Sequence, residues 1–110
     1  AIALANFLKK QPHRKWNFII GMLNNRNIID FIINFREHIN IIYTIPIRNQ
    51  NSSSNPEKLS LILNKAGLIS YPTTSLEKAL IKSDKELPLL ITGSLYLAGE
   101  VLSFNDTKIT

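Results

Sequence analysis

Short apolar runs alternating with amphipathic stretches constrain this chain more than any other feature of it. Phe18, Ile19 and Ile20 form a continuous apolar run within Asn17–Leu23, the pattern of a strand covered on both faces of a sheet. Asn40–Ile47, Leu68–Tyr71 and Leu87–Thr92 repeat the theme, and Pro46 fits only near the end of its run because it cannot donate to a ladder. Between these runs lie helical stripes. Ile28, Ile32, Phe35 and Ile39 share one face, widened by Ile29 and Ile33. Leu59, Ile62, Leu63 and Ala66 form a second stripe, and Leu76, Ala79 and Leu80 a third. Strands alternating with helices at this spacing predict right-handed crossovers, and hence an α/β domain that is Rossmann-like, three-layered and built on a mostly parallel sheet.

Local chemistry marks the boundaries. Asn27 with Asp30 three residues on reads as a helix start, and Ser54 or Asn55 caps the next helix, with Pro56 in its first turn and Gly67 at its end. Thr74-Ser-Leu-Glu77 is a capping box that opens a helix through about Ser83. The first stretch, with Ala1, Leu4, Ala5 and Leu8 at helical spacing and Lys9 and Lys10 in its last turn, begins in mid-pattern, which leads us to expect a truncated N-terminus. At the other end the strand runs into Gly93 and Ser94 and then into a predicted helix, Tyr96–Phe104. Such a turn aims backbone N–H groups and a hydroxyl at an anion beyond the strand. The ordered domain is expected to span 1–104, with 105–110 a frayed tail.

The 110 residues fit one domain, and 45% hydrophobic against 19% charged residues excludes a disordered chain. A net charge of +5 raises the question of polyanions. The basic residues are scattered, however, and their one cluster, Lys9, Lys10, His13, Arg14 and Lys15, falls where cations complement a helix C-terminus, so nucleic acid is not the expected partner. Without cysteine there can be neither a disulfide framework nor a thiolate metal site, which fits a reducing cytoplasm. No apolar run approaches the ~20 residues of a membrane helix. The opening AIALANFL lacks the basic segment before it that a signal peptide carries.

Ligands in a parallel sheet bind beyond the carboxyl ends of its strands, which selects the loops Gly21–Asn27, Ile47–Asn55 and Thr92–Tyr96. Gly93 permits a tight turn and close approach, and Ser94 can cap a helix or bond an anion. Arg26 and Arg48 are the cations of the other two loops, suited to a phosphate or carboxylate. The polar segment Arg48–Asn55 reads as a mobile loop, and His13 and His38 read as surface residues without metal-ligand spacing. No nucleophile triad, phosphate-binding P-loop or dinucleotide turn is present, so no catalytic residue and no metal ligand is assigned.

Two motifs in order, Trp16–Ile32 (WNFIIGMLNNRNIIDFI) and Leu89–Val101 (LLITGSLYLAGEV), resemble the C-terminal domain of folylpolyglutamate synthase/dihydrofolate synthase in the Mur ligase superfamily. In that family a strand ending in Gly-Met-Leu precedes a charged turn and helix, and a Gly-Ser-Leu-Tyr-Leu-type turn closes the domain. The resemblance runs from about Ala1 to Val101. It implies the Mur ligase C-terminal fold, lacking an upstream strand and an Asp-Gly-Ala-His-Asn-Pro motif. If that strand is central, its neighbours present unpaired edges.

The resemblance further implies a lid domain of an ATP-dependent ligase that joins L-glutamate to a folate or pteroate carboxylate through an acyl phosphate. Gly93, Ser94 and Tyr96 would face glutamate, and Arg26 and Arg48 the ATP side of the interdomain cleft. ATP and Mg²⁺ would belong to the full-length enzyme, held mainly by a partner N-terminal ATPase and folate-binding domain and not by this chain alone, which would be inactive by itself. Relatives carry an Asp-Lys-Asp-like turn where this chain has Asn25-Arg26-Asn27, so the cation is kept and both acids have become amides. A different class of function is an independent basic α/β module that binds a partner protein or nucleic acid.

Overall fold

The computed structural model describes residues 8–10, 15–24, 27–47, 53–83, 86–93, 96–102 and 108–109. In chain order these form β1 (Trp16–Gly21), α1 (Ile28–Ile32), a 3₁₀ turn (Arg36–His38), β2 (Ile39–Thr44), α2 (Pro56–Lys65), β3 (Ser70–Pro72), α3 (Leu76–Lys82), β4 (Leu89–Gly93), β5 (Tyr96–Leu102) and β6 (Lys108–Ile109). The expected opening helix lies largely outside the described residues.

One six-stranded sheet runs in the order β3-β2-β1-β4-β5-β6. The first four strands are parallel, β1 pairing with β2 on one side and with β4 on the other. Both sides of β1 are therefore occupied, and no gap of the kind an absent central strand would leave interrupts the parallel strands. One edge, β3, is only three residues long and ends in Pro72, which blunts it against further pairing.

Successive residues of a strand point to opposite faces, and the two faces are covered by different helices. Phe18, Ile20 and Leu90 pack with Ile28 and Ile32 of α1 and with Leu59 and Leu63 of α2. Ile19, Tyr43 and Ile91 pack with Ala79 of α3 on the other side. The result is the expected three-layer α/β arrangement. The path from β1 through β2 to β3 steps one way across the sheet, and the return from β3 to β4 steps the other way. Face and direction reverse together, which keeps one hand of crossover throughout. A register shift lets Trp16 pair with Ile39 and Phe18 with Ile42, so that β2 carries one extra residue. Ile39 and Ile42 thereby reach the same core cluster, which strict alternation would forbid.

The start of α1 and both ends of α2 fall where their signals lie in the sequence. Asn27 Oδ1 accepts from the N–H groups of Ile29 and Asp30, and Asn55 caps α2 by accepting from Glu57 and Lys58. Beyond α2, Gly67 takes a φ of 91° while its N–H reaches the Asn64 carbonyl and the Leu68 N–H reaches that of Leu63. This is a Schellman ending, and the left-handed backbone explains glycine there.

Several expectations are corrected. α1 stops at Ile32, leaving Ile33 65% exposed instead of widening the buried stripe, and Ile39 opens β2. His38 is 8% exposed, folded inward by the 3₁₀ turn, and is not a surface residue. The cap of α3 is Ser75, whose hydroxyl accepts from the Lys78 N–H, rather than Thr74.

The segment predicted as a helix, Tyr96–Phe104, instead supplies β5 over Tyr96–Leu102, antiparallel to β4. Gly99 costs a helix interior about 1 kcal/mol. A strand there also satisfies the backbone groups on the open side of β4. Lys108 and Ile109, placed in the expected tail, pair with β5 as β6. Among the described residues no helix is long and apolar enough to cross a membrane.

Candidate functional site

The chain reverses its direction across the sheet between β1 and β4, because β1 continues to β2 on one side while β4 is inserted on the other. β1 leads to β2 on one side and β4 to β5 on the other, and such a point of reversal in strand order is where open α/β sheets bind ligands. Here Gly21 and Gly93 lie in register at the ends of the two strands. Gly21 has a packing reason: a Cβ would sit 3.0 Å from Ile47 Cγ1 and 3.3 Å from the Ile45 carbonyl oxygen.

One residue back from Gly93 is Thr92, paired with Ile20 and 1% exposed. Its Oγ1 has no hydrogen-bond partner among the described residues. A buried hydroxyl without a partner costs roughly 1–3 kcal/mol. The sequence reads Thr92 as the end of the last predicted parallel strand and the start of a ligand-edge loop, and assigns it no role. Its signal, a polar residue closing an otherwise apolar run, is weak, because threonine is also a good strand former.

Of the residues expected at the site, the structure brings Gly93 and Tyr96 together as partners in the β4–β5 pairing. Ser94, Arg26 and Arg48 lie outside the described residues. With β5 in place of the predicted helix, strand backbone stands where a helix N-terminus was expected beyond Ser94.

The loops after β1 and β2 are tied to each other. Leu23 and Ser53 form an antiparallel bridge, the Ser54 N–H reaches the Met22 carbonyl at 2.7 Å, and the Ser54 hydroxyl donates to Asn24 Oδ1 at 3.0 Å. Ser53 Oγ also accepts from the Ile47 N–H at 2.8 Å. Ser53 and Ser54 are therefore anchored, in contrast to the mobile loop expected from the polar run of Arg48–Asn55.

Next to this junction a cleft of about 690 Å³ opens between the first turns of α1 and α2, with Asn24, Asn27, Ser54 and Lys58 among its lining. A smaller hollow of about 280 Å³ lies where β2 and β3 end, walled by Pro46, Pro56 and Pro72 with Glu57 beside them. Among the described residues the chemistry on offer is binding through amides, hydroxyls, Lys58 and Glu57. Among the described residues no group of three or more His, Asp or Glu side chains is placed to hold a metal ion. The chain matches no protein-family model, no curated protein and no solved structure.

Proposed function

We propose that this chain is the lid domain of an ATP-dependent ligase that joins L-glutamate to a folate or pteroate carboxylate through an acyl phosphate. The observation that carries this reading is the coincidence of the Gly-Ser-Leu-Tyr-Leu turn with the switch point of the sheet: Gly93 ends β4 beside Gly21 of β1. The motif that prompts the family resemblance thus sits where an α/β sheet of this topology has its ligand crevice.

In this reading Gly93, Ser94 and Tyr96 hold the glutamate side of the closed site, and Arg26 and Arg48 approach it from the two neighbouring loops. The buried Thr92 hydroxyl adds a donor one residue away. ATP and Mg²⁺ supply the activated acyl phosphate and its charge neutralisation from the partner N-terminal domain. This chain's residues orient glutamate and exclude water as the two domains close, a gating role and not a chemical one.

The test is ATP- and glutamate-dependent phosphate release with a pteroate or folate acceptor, with the chain added to the N-terminal domain of a folylpolyglutamate synthase. Release that requires both parts and falls about tenfold or more with Ser94→Ala supports the lid; a change of that size is about 1.4 kcal/mol. No release from the combination, together with steeply salt-dependent binding of a polyanion by the chain alone, would replace the ligase reading with that of a basic binding module.

A further inference from the structure

Among the described residues, the cleft between α1 and α2 is lined by neither glycine of the switch point. Its volume, about 690 Å³, lies within the ~300–1,000 Å³ typical of sites for small organic ligands. Its wall is apolar: Ile28 and Leu59 are buried at the base, with half-buried Ile29 and Ile62 beside them.

The rim has the opposite character. Asn27 Oδ1 is engaged by two backbone N–H groups, at 2.9 and 3.3 Å. Asn24 Oδ1 is engaged by the Ser54 hydroxyl at 3.0 Å. A side-chain amide has one carbonyl oxygen and one NH₂ group, so with both oxygens committed to the fold each asparagine has donors to offer. Lys58 has donors only. Among the described residues the rim therefore combines N–H donors with the positive charge of Lys58 over a hydrocarbon wall.

We infer that this cleft binds a monocarboxylate carrying an apolar body. The carboxylate supplies the acceptors and the charge that the rim lacks, and the apolar body covers the isoleucine wall. Lys58 supplies a positive charge to meet the carboxylate. Glu57 lines the other hollow but puts a negative charge next to Lys58 in the first turn of α2, which disfavours a phosphate dianion relative to a carboxylate.

The probe is naphthalene-2-carboxylate, titrated into the full chain and followed by backbone amide shifts and calorimetry. Expected are shifts at Ile29 and Ile62, and an affinity that falls about tenfold in Lys58→Met, the loss of one charge-assisted contact. Asn24→Asp, which replaces a donor with a negative charge, should weaken binding at least as much. Lys65→Met, at the far end of the same helix, should leave it unchanged. Lys58 is exposed, so its replacement leaves the core intact.

Equal affinity for the neutral naphthalene-2-methanol would overturn the inference, as would tighter binding of 2-naphthyl phosphate, an unaltered Lys58→Met, or shifts confined to other parts of the chain. None of these outcomes bears on the phosphate-release test of the ligase reading, so the two proposals fail separately.

Discussion

The two faces of the sheet are built differently. On one, α1 and α2 close over the large side chains of Phe18, Ile20, Phe35 and Leu90. On the other, the seven residues of α3 present Ala79, with Leu76 and Leu80 at the margin, to Ile19, Tyr43 and Ile91. The first face also carries a buried polar tie. Thr44 Oγ1 donates to the Pro56 carbonyl at 2.7 Å and lies 2.8 Å from Ser60 Oγ, which in turn lies 2.8 Å from Ser70 Oγ. A hydroxyl has one proton. Because that of Thr44 goes to Pro56, Ser60 must donate to Thr44 and Ser70 to Ser60, so the chain runs in one direction. On the second face the Tyr43 hydroxyl donates to the Lys82 carbonyl at a longer 3.2 Å. The comparison shows how one strand can be clamped on one side and merely covered on the other.

The matched pair Ile20→Ala and Ile19→Ala probes this difference most strongly, since both residues are fully buried neighbours on β1 facing opposite ways. Isoleucine truncation costs roughly 2–5 kcal/mol, depending on how far the surroundings collapse. We expect about 4 kcal/mol for Ile20→Ala and about 2–3 kcal/mol for Ile19→Ala, because a single short helix can move inward more readily than a pair. Urea unfolding measures both, and an equal or reversed order would break the comparison.

The direction of the hydroxyl chain gives the next effect. Ser60→Ala leaves the Ser70 hydroxyl without its acceptor and should cost roughly 1–3 kcal/mol. Ser70→Ala leaves the Ser60 donor still engaged with Thr44 and should cost less than about 1 kcal/mol. The reverse ranking in the same unfolding assay would mean that the chain runs the other way.

The smallest effect has the opposite sign. Thr92 shares the α1/α2 face through its pairing with Ile20, and its hydroxyl has no partner among the described residues. Thr92→Val should therefore stabilise the fold by about 1 kcal/mol. If the hydroxyl serves the proposed glutamate site, the same substitution should lower glutamate-dependent phosphate release. A gain in stability without any loss of that activity would assign Thr92 to the fold alone.

What could be read in advance was what lies close along the chain. The caps at Asn27 and Asn55 and the glycine at position 67 act over two to five residues, so their signals sit beside the groups they satisfy. The strands β1, β2 and β4 were legible because a strand covered on both faces must be apolar at nearly every position. Tyr96–Leu102 was misread because its apolar spacing over seven residues fits either a helix or a strand. The open side of β4, which lies elsewhere in the local reckoning, favoured the strand. Ser60 and Ser70 carried no signal, since a serine on a helix or strand reads as solvent-facing until its partner is known.

The sequence by itself determined the α/β class, the two-sided burial of the central strands, the capped starts of α1 and α2 and the loops that gather at one edge, because periodicity and capping are local properties of the chain. Only the tertiary structure decided that β4 returns beside β1 and sets Gly93 against Gly21. It alone decided that the buried Thr92 hydroxyl has no partner among the described residues, and that the asparagines at the α1/α2 cleft turn their oxygens into the fold. Each of these depends on segments brought together from distant parts of the chain, and no local pattern encodes which distant donor or acceptor a side chain will meet.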